Sequence, residues 1–176
     1  MPKIADIPEF TQDSPYKVDQ PVTNLEAFLK DYIEDGLQME PDFQRGHVWT
    51  EAQQVAYVEY VLQGGKSGRD IYFNHPGWMG NWKGEFVLVD GLQRLTALLK
   101  FLRNEIKVFG YLYREYDDKM RFSDPTLRIH VNTLKTRGAV LRWYLEMNTG
   151  GTPHTQAEIE RVKALWAEEA AKKGKK

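Results

Sequence analysis

The sequence predicts a mixed α/β fold, and three observations carry that expectation. Apolar stripes at helical spacing alternate along the chain with short runs of β-rich composition. One such run, "FVLVD" at residues 86–90, passes directly into a helical stripe. The chain has 176 residues, 41% of them hydrophobic and 12% aromatic. That is enough for one compact domain with a sizeable core and short for two.

Residues 1–21 mix prolines, acids and polar residues without an apolar period, so they are expected to form an extended arm. A single domain is expected over residues 22–170, followed by a basic tail at 171–176. In "VTNLEAFLKDYIEDG", Leu25, Phe28, Leu29 and Ile33 share one helical face, with Thr23 or Asn24 as N-cap and Gly36 as the stop. "LQMEPDFQRGHVWT" reads as an irregular link, and Thr50 caps a second helix whose stripe is Val55, Val58, Val61 and Leu62. "RDIYFN" is strand-like, "HPGWMGNWKGE" is a Gly/Pro loop, and "FVLVD" suits a strand buried on both faces. The helix after it buries Leu95, Leu98, Leu99 and Leu102. "IKVFGYLYREY" and "LRIHVNTL" read as strands around the turn-rich "DDKMRFSDP". Helices through "GAVLRWYLEMN" and "TQAEIERVKALWAEEAAKK" end the domain, the last burying Ile159, Val162 and Trp166.

Composition removes several function classes. With no cysteine there are no disulfides, thiolate metal sites or cysteine nucleophiles, and His47, His75, His130 and His154 show no paired metal-ligand spacing. No run approaches the roughly 18 apolar residues of a membrane span, and "MPKIADIPEF" lacks the apolar core of a signal peptide. The expectation is a cytoplasmic protein with no membrane partner. The net charge of −1 is segregated: residues 1–40 hold three lysines against nine acids, and residues 94–142 hold eleven Lys/Arg against five acids. That second stretch could offer a basic face to phosphates.

Three segments could carry chemistry. In "VLVDGLQRLTAL" a strand turns abruptly into a helix, leaving the first backbone N–H groups of the helix unpaired and partly positive, which favours an anion. Gly91 would let the backbone approach a ligand, Gln93 offers a donor and an acceptor, and Arg94 offers a fork of donors for phosphate oxygens. Asp90 could cap the helix, hold a metal ion on the phosphate, or act as a base. In "PDFQRGHVW" the polar pair Gln44-Arg45 lies between Phe43 and Trp49, both read as core anchors. In "MNTGGTPHT" the glycines Gly150 and Gly151 could form an anion-binding nest, or serve as a plain helix C-cap. "LQGGKSGRD" contains a Gly-Lys-Ser but not the spacing or preceding strand of a Walker motif, so Lys66 and Ser67 are loop residues.

The three segments in this order resemble the motif set of the DGQQR-motif domain at the N-terminus of GmrSD-type restriction enzymes and related phage-defence proteins, a group with the ParB/sulfiredoxin-like fold. The resemblance spans roughly residues 22–165 and implies a small mixed sheet surrounded by helices. It also implies binding, and sometimes Mg²⁺-dependent hydrolysis, of nucleoside triphosphates in proteins that act on DNA. By position it assigns Asp90, Gly91, Gln93 and Arg94 to the nucleotide or metal site, Asp90 and Arg94 with catalytic roles. Gln44 and Arg45 match the family's upstream Gln-Arg, and Asn148, Gly150 and Gly151 match its Asn-x-Gly-Gly turn. Leu92 departs from the family's more usual Gln, and His154 stands where an aliphatic residue is common. Sulfiredoxin chemistry is excluded, because it needs a cysteine. The implied partners are a nucleoside triphosphate, DNA, and a nuclease or other phage or host protein. The competing expectation is a non-enzymatic DNA- or protein-binding module that keeps the fold and regulates or inhibits a partner.

Overall fold

A computed structural model describes residues 14–117, 124–147 and 155–173. Its five-stranded sheet comprises β1 (Tyr16–Pro21), β2 (Leu37–Gln38), β3 (Asp70–Asn74), β4 (Phe86–Asp90) and β5 (Thr126–Asn132), in the order β1-β5-β3-β4-β2. β1 runs antiparallel to β5, β5 parallel to β3, β3 antiparallel to β4, and β4 parallel to β2. Among the described residues five α-helices surround it: α1 (Leu25–Glu34), α2 (Glu51–Leu62), α3 (Leu92–Leu102), α4 (Arg137–Met147) and α5 (Gln156–Lys173). The class is mixed α/β, as the sequence predicts.

The unbroken apolar run of β4 follows from its place between two cores. Successive strand side chains point to opposite faces, so Phe86 and Leu88 enter one core while Val87 and Val89 enter the other. The larger core packs Ile71, Phe73, Ile129 and Val131 against Leu25 and Leu29 of α1, Val58 and Val61 of α2, and Leu95 and Leu98 of α3. The smaller one packs Val87 and Val89 against Val140, Leu141 and Trp143 of α4, together with Phe43 and Val162. Within α5 the predicted stripe narrows to Val162, since Trp166 is 40% exposed. Thr50 caps α2 in a full capping box: its Oγ1 accepts from Gln53 N at 3.3 Å, and Gln53 Oε1 accepts from Thr50 N at 2.9 Å.

Three segments differ from the sequence reading, the shortest being Leu37–Gln38, expected within an irregular link, which pairs with β4 as β2. Residues 16–21, expected within an extended arm, form the edge strand β1, with Tyr16 and Val18 against the larger core and Lys17 and Asp19 outward. The alternation is real but short, and Pro21 sits at the strand's end, where a missing N–H is tolerated. The expected strand at 106–116 is instead a hairpin-like turn, with one bridge between Val108 and Tyr111, followed by a 3-10 helix at Tyr113–Glu115. Phe109 and Gly110 both take positive φ, 49° and 84°, which breaks the strand. The β-rich residues are used as a cover for α3: Ile106 and Val108 are buried, and Tyr113 and Tyr116 lie edge-on to Phe101.

The β3–β4 loop is organised around His75, whose Nδ1 accepts from Gly77 N at 3.0 Å and whose ring lies among Trp78, Trp82 and Phe86. Burial holds its pKa below the usual histidine value. A histidine with a lowered folded pKa contributes stability that is complete above its unfolded pKa of about 6.5 and is lost as pH falls toward the folded value. Stability measured by urea denaturation should therefore decline from pH 7 to pH 5. The decline should be shallower in His75→Asn, whose side chain can still accept from Gly77; equal slopes in the two proteins would remove His75 as the cause.

Candidate functional site

The site grows from the β4–α3 junction. Gly91 is the N-cap of α3 at φ 119°, a conformation open to glycine, and no side chain caps the helix. A methyl group on Gly91 would lie 2.6 Å from Ile71 Cδ1 and 3.1 Å from its Cγ2. The missing side chain thus makes room for the core residue Ile71 on β3, and the close approach inferred for a ligand is first of all an approach of backbone to core. Gly91→Ala should cost about 2 kcal/mol or more in urea denaturation, from left-handed strain plus overpacking; a loss under about 0.5 kcal/mol would show that the junction relaxes freely.

Asp90 ends β4 and Arg94 stands in the first turn of α3, and their side chains form a close ion pair through Asp90 Oδ2 and Arg94 Nη2. The pair is partly sheltered, Arg94 being 16% and Asp90 34% exposed. Asp90 therefore serves neither as N-cap nor as an isolated carboxylate. Beyond Arg94 lies Tyr57, whose hydroxyl donates to Gly68 O at 2.8 Å and whose pKa burial pushes up to about 12.

Gln93 is used differently from the role its sequence position suggests. Its Oε1 accepts from Val48 N at 2.9 Å and Trp49 N at 3.1 Å, and its Nε2 donates to Gly46 O at 3.1 Å. One amide thereby closes the backbone of residues 46–49 onto α3. The preceding stretch is fastened from the other side of the molecule. Arg161 of α5 donates to the carbonyls of Asp42, Phe43 and Gln44 at 2.6, 3.3 and 3.3 Å, and Arg137 of α4 grips Asp42 Oδ2 at 2.6 Å. Phe43 is buried against Tyr144, ring centroids 5.2 Å apart, and Tyr144 also meets the backbone of Arg45. Burial raises the Tyr144 pKa, so its hydroxyl stays protonated.

These restraints bring two of the three motif segments around one cavity of about 270 Å³, lined by Gln44, Arg45, Trp49, Asp90, Gly91, Leu92, Gln93, Arg94, Tyr144 and Met147. Asn148, Gly150 and Gly151 lie outside the described residues. Sequence reasoning missed Tyr144, Met147, Arg137 and Arg161. The two arginines act on a loop more than 90 residues away in the chain, a pairing that no local pattern signals. The lining gathers two guanidinium groups, Arg45 and Arg94, and one carboxylate, Asp90, and such donors can meet an anion.

Among the described residues, no group of three acidic or histidine side chains is gathered to hold a metal ion. Asp90 supplies one carboxylate, a donor set that fits a cation carried in on phosphate oxygens and does not fit a resident one. Gln93→Glu keeps the acceptor oxygen for Val48 and Trp49 but loses the donor to Gly46. It should destabilise by about 1–3 kcal/mol and raise hydrogen exchange across residues 46–50, whereas unchanged exchange there would show that the amide does not hold the loop.

Among the described residues, no helix is long and apolar enough to cross a membrane. No curated protein and no solved structure was found to match the chain. A family match was found: the GmrSD restriction endonuclease N-terminal domain, over residues 25–127. That span runs from α1 through β5's first residues, takes in Gln44, Arg45 and Asp90 to Arg94, and covers more than half of the chain. The chain belongs to the family of GmrSD restriction endonuclease N-terminal domains.

Proposed function

We propose that this domain binds a nucleoside triphosphate in the cavity between α3 and the 42–49 loop, and through it serves a restriction-related process in partnership with a DNA-acting nuclease. The observation that carries this reading is the convergence of Arg45 and Arg94, from segments about fifty residues apart, on one cavity at an uncapped helix N-terminus. The phosphates take the place of the Asp90 carboxylate in the fork of Arg94, while Arg45 meets them from the loop. Asp90, released, holds Mg²⁺ that arrives with the phosphates; such an ion would polarise the phosphoryl oxygens for attack. At about 270 Å³ the cavity lies near the lower end, about 300 Å³, of pockets that hold drug-sized ligands.

A basic DNA-binding face, the competing expectation, finds less support. Four arginines of the cation-rich stretch are engaged locally: Arg103 with Glu26 at 2.7 Å, Arg128 with Asp70 at 3.6 Å and Asp19 at 3.8 Å, Arg137 with Asp42 and Glu85, and Arg142 with Glu146 at 3.0 Å. The acids of residues 1–40 supply two of these partners, Glu26 and Asp19, so folding offsets part of the segregation of charge along the chain.

A thermal-shift panel of ATP, GTP, CTP and UTP with Mg²⁺ tests the reading. At a ligand concentration a hundredfold above Kd the stabilisation is about 2.7 kcal/mol, a rise of roughly 5–10 °C for a domain of this size. Arg94→Gln and Arg45→Gln should each abolish most of it. Asp90→Asn should bind nucleotide more tightly than the natural protein in EDTA and gain less from added Mg²⁺. No shift with any nucleotide would end the proposal and return attention to protein partners.

A further inference from the structure

The cavity has a part that phosphate does not need. Alongside its charged groups it is lined by Trp49, Leu92, Tyr144 and Met147, and a polyphosphate would leave that apolar surface hydrated. Of these four, Trp49 is held most deliberately. Its N–H donates to Gln93 Oε1 at 3.1 Å, its carbonyl accepts from Gln54 Nε2 at 3.0 Å, and its ring meets Tyr57 edge-on at 5.5 Å and 60°. Gln54 is buried and bonds His47 Nε2 at 2.7 Å with the same amide nitrogen, so both sides of the Trp49 peptide are tied to separate helices. Trp49 is half-buried, packs on one side against the larger core, and lines the cavity.

From this we infer that Trp49 is the stacking platform for the nucleobase, and that Gln93 is a positioning residue that acts through it. The inference rests on the nucleotide reading above and deepens it: the phosphates engage Arg45 and Arg94, and the base lies on the indole. A pre-set aromatic ring loses little conformational freedom on binding, so stacking appears in affinity almost undiminished. Stacking tolerates any base, and with the Gln93 amide already committed to the loop the site recognises the presence of a base more than its identity. Purines, with the larger π-surface, are held best.

The test measures binding of ATP and of inorganic tripolyphosphate, each with Mg²⁺, to the natural protein, Trp49→Leu and Trp49→Phe by calorimetry. ATP should bind the natural protein about 5- to 100-fold more tightly than tripolyphosphate. Trp49→Leu should erase that difference while leaving tripolyphosphate affinity within about threefold, and Trp49→Phe should keep part of it. Equal affinities for the two ligands in the natural protein, or an undiminished preference for ATP in Trp49→Leu, would overturn the platform while leaving the phosphate site standing. Failure of both ligands to bind the natural protein would overturn the phosphate site and the platform together. If Trp49→Leu does not fold, intrinsic fluorescence decides: ATP should quench the natural protein and not Trp49→Phe, with tripolyphosphate quenching neither. Equal quenching in both proteins would count against Trp49.

Discussion

The packing of Gly91 against Ile71 is the constraint on which the site depends. A strand that must become a helix within one residue has to change backbone conformation at a point still inside the sheet, where β3 lies directly alongside. Only a residue without a side chain can take φ 119° there and leave room for Ile71. Because the turn is that tight, Asp90 and Arg94 are four residues apart but share one end of the structure, the first as the last residue of β4 and the second in the opening turn of α3. Moving the helix outward by the thickness of a methyl group would shift Gln93 away from the 46–49 backbone and open the cavity on that side.

The 42–49 loop is the second half of the arrangement, and its order comes from both faces of the sheet. Arg161 and Arg137 draw its first residues toward α4 and α5, on the side of the smaller core, while Gln93 draws its later residues toward α3, on the side of the larger one. Three carbonyls gathered by a single guanidinium are groups that would otherwise need water. The loop therefore behaves as part of the fold despite having no regular secondary structure, and Arg45 is presented from a fixed backbone.

How much of this the sequence disclosed depends on the range of the interaction. The stripes of α2 and α3, the Thr50 cap and the double burial of β4 are written in spacings of two to four residues, and they were legible. β1 was not, because a six-residue alternation between prolines resembles a linker until β5 is there to pair with it. The run 106–116 misled in the opposite way: residues suited to strands were placed there to cover α3, and composition does not distinguish the two uses. At the site, the residue types of Asp90, Gln93, Arg94, Gln44 and Arg45 pointed to a shared cavity, but the division of labour among them did not. That Gln93 spends its amide on backbone, and that Asp90 occupies Arg94, follows from distances between segments some fifty residues apart or from a rotamer, neither of which leaves a trace in a motif.

The ion pair of Asp90 and Arg94 also bears on what kind of anion the proposed site would select. Two guanidinium groups facing an open cavity would repel one another and attract any anion in solution; a carboxylate in the fork of Arg94 removes that cost and, with it, much of the attraction for a weakly charged competitor. A ligand must offer more than Asp90 does. Acetate or chloride, with one charge, only exchanges like for like, whereas a triphosphate carries several charges, reaches Arg45 at the same time as Arg94, and brings a cation that gives the displaced carboxylate a new partner. Four other arginines of residues 94–142, Arg103, Arg128, Arg137 and Arg142, are paired with acids on the surface, while Arg94 and Arg45 line this cavity, and on the reading proposed above a small, multiply charged ligand would gain most from it.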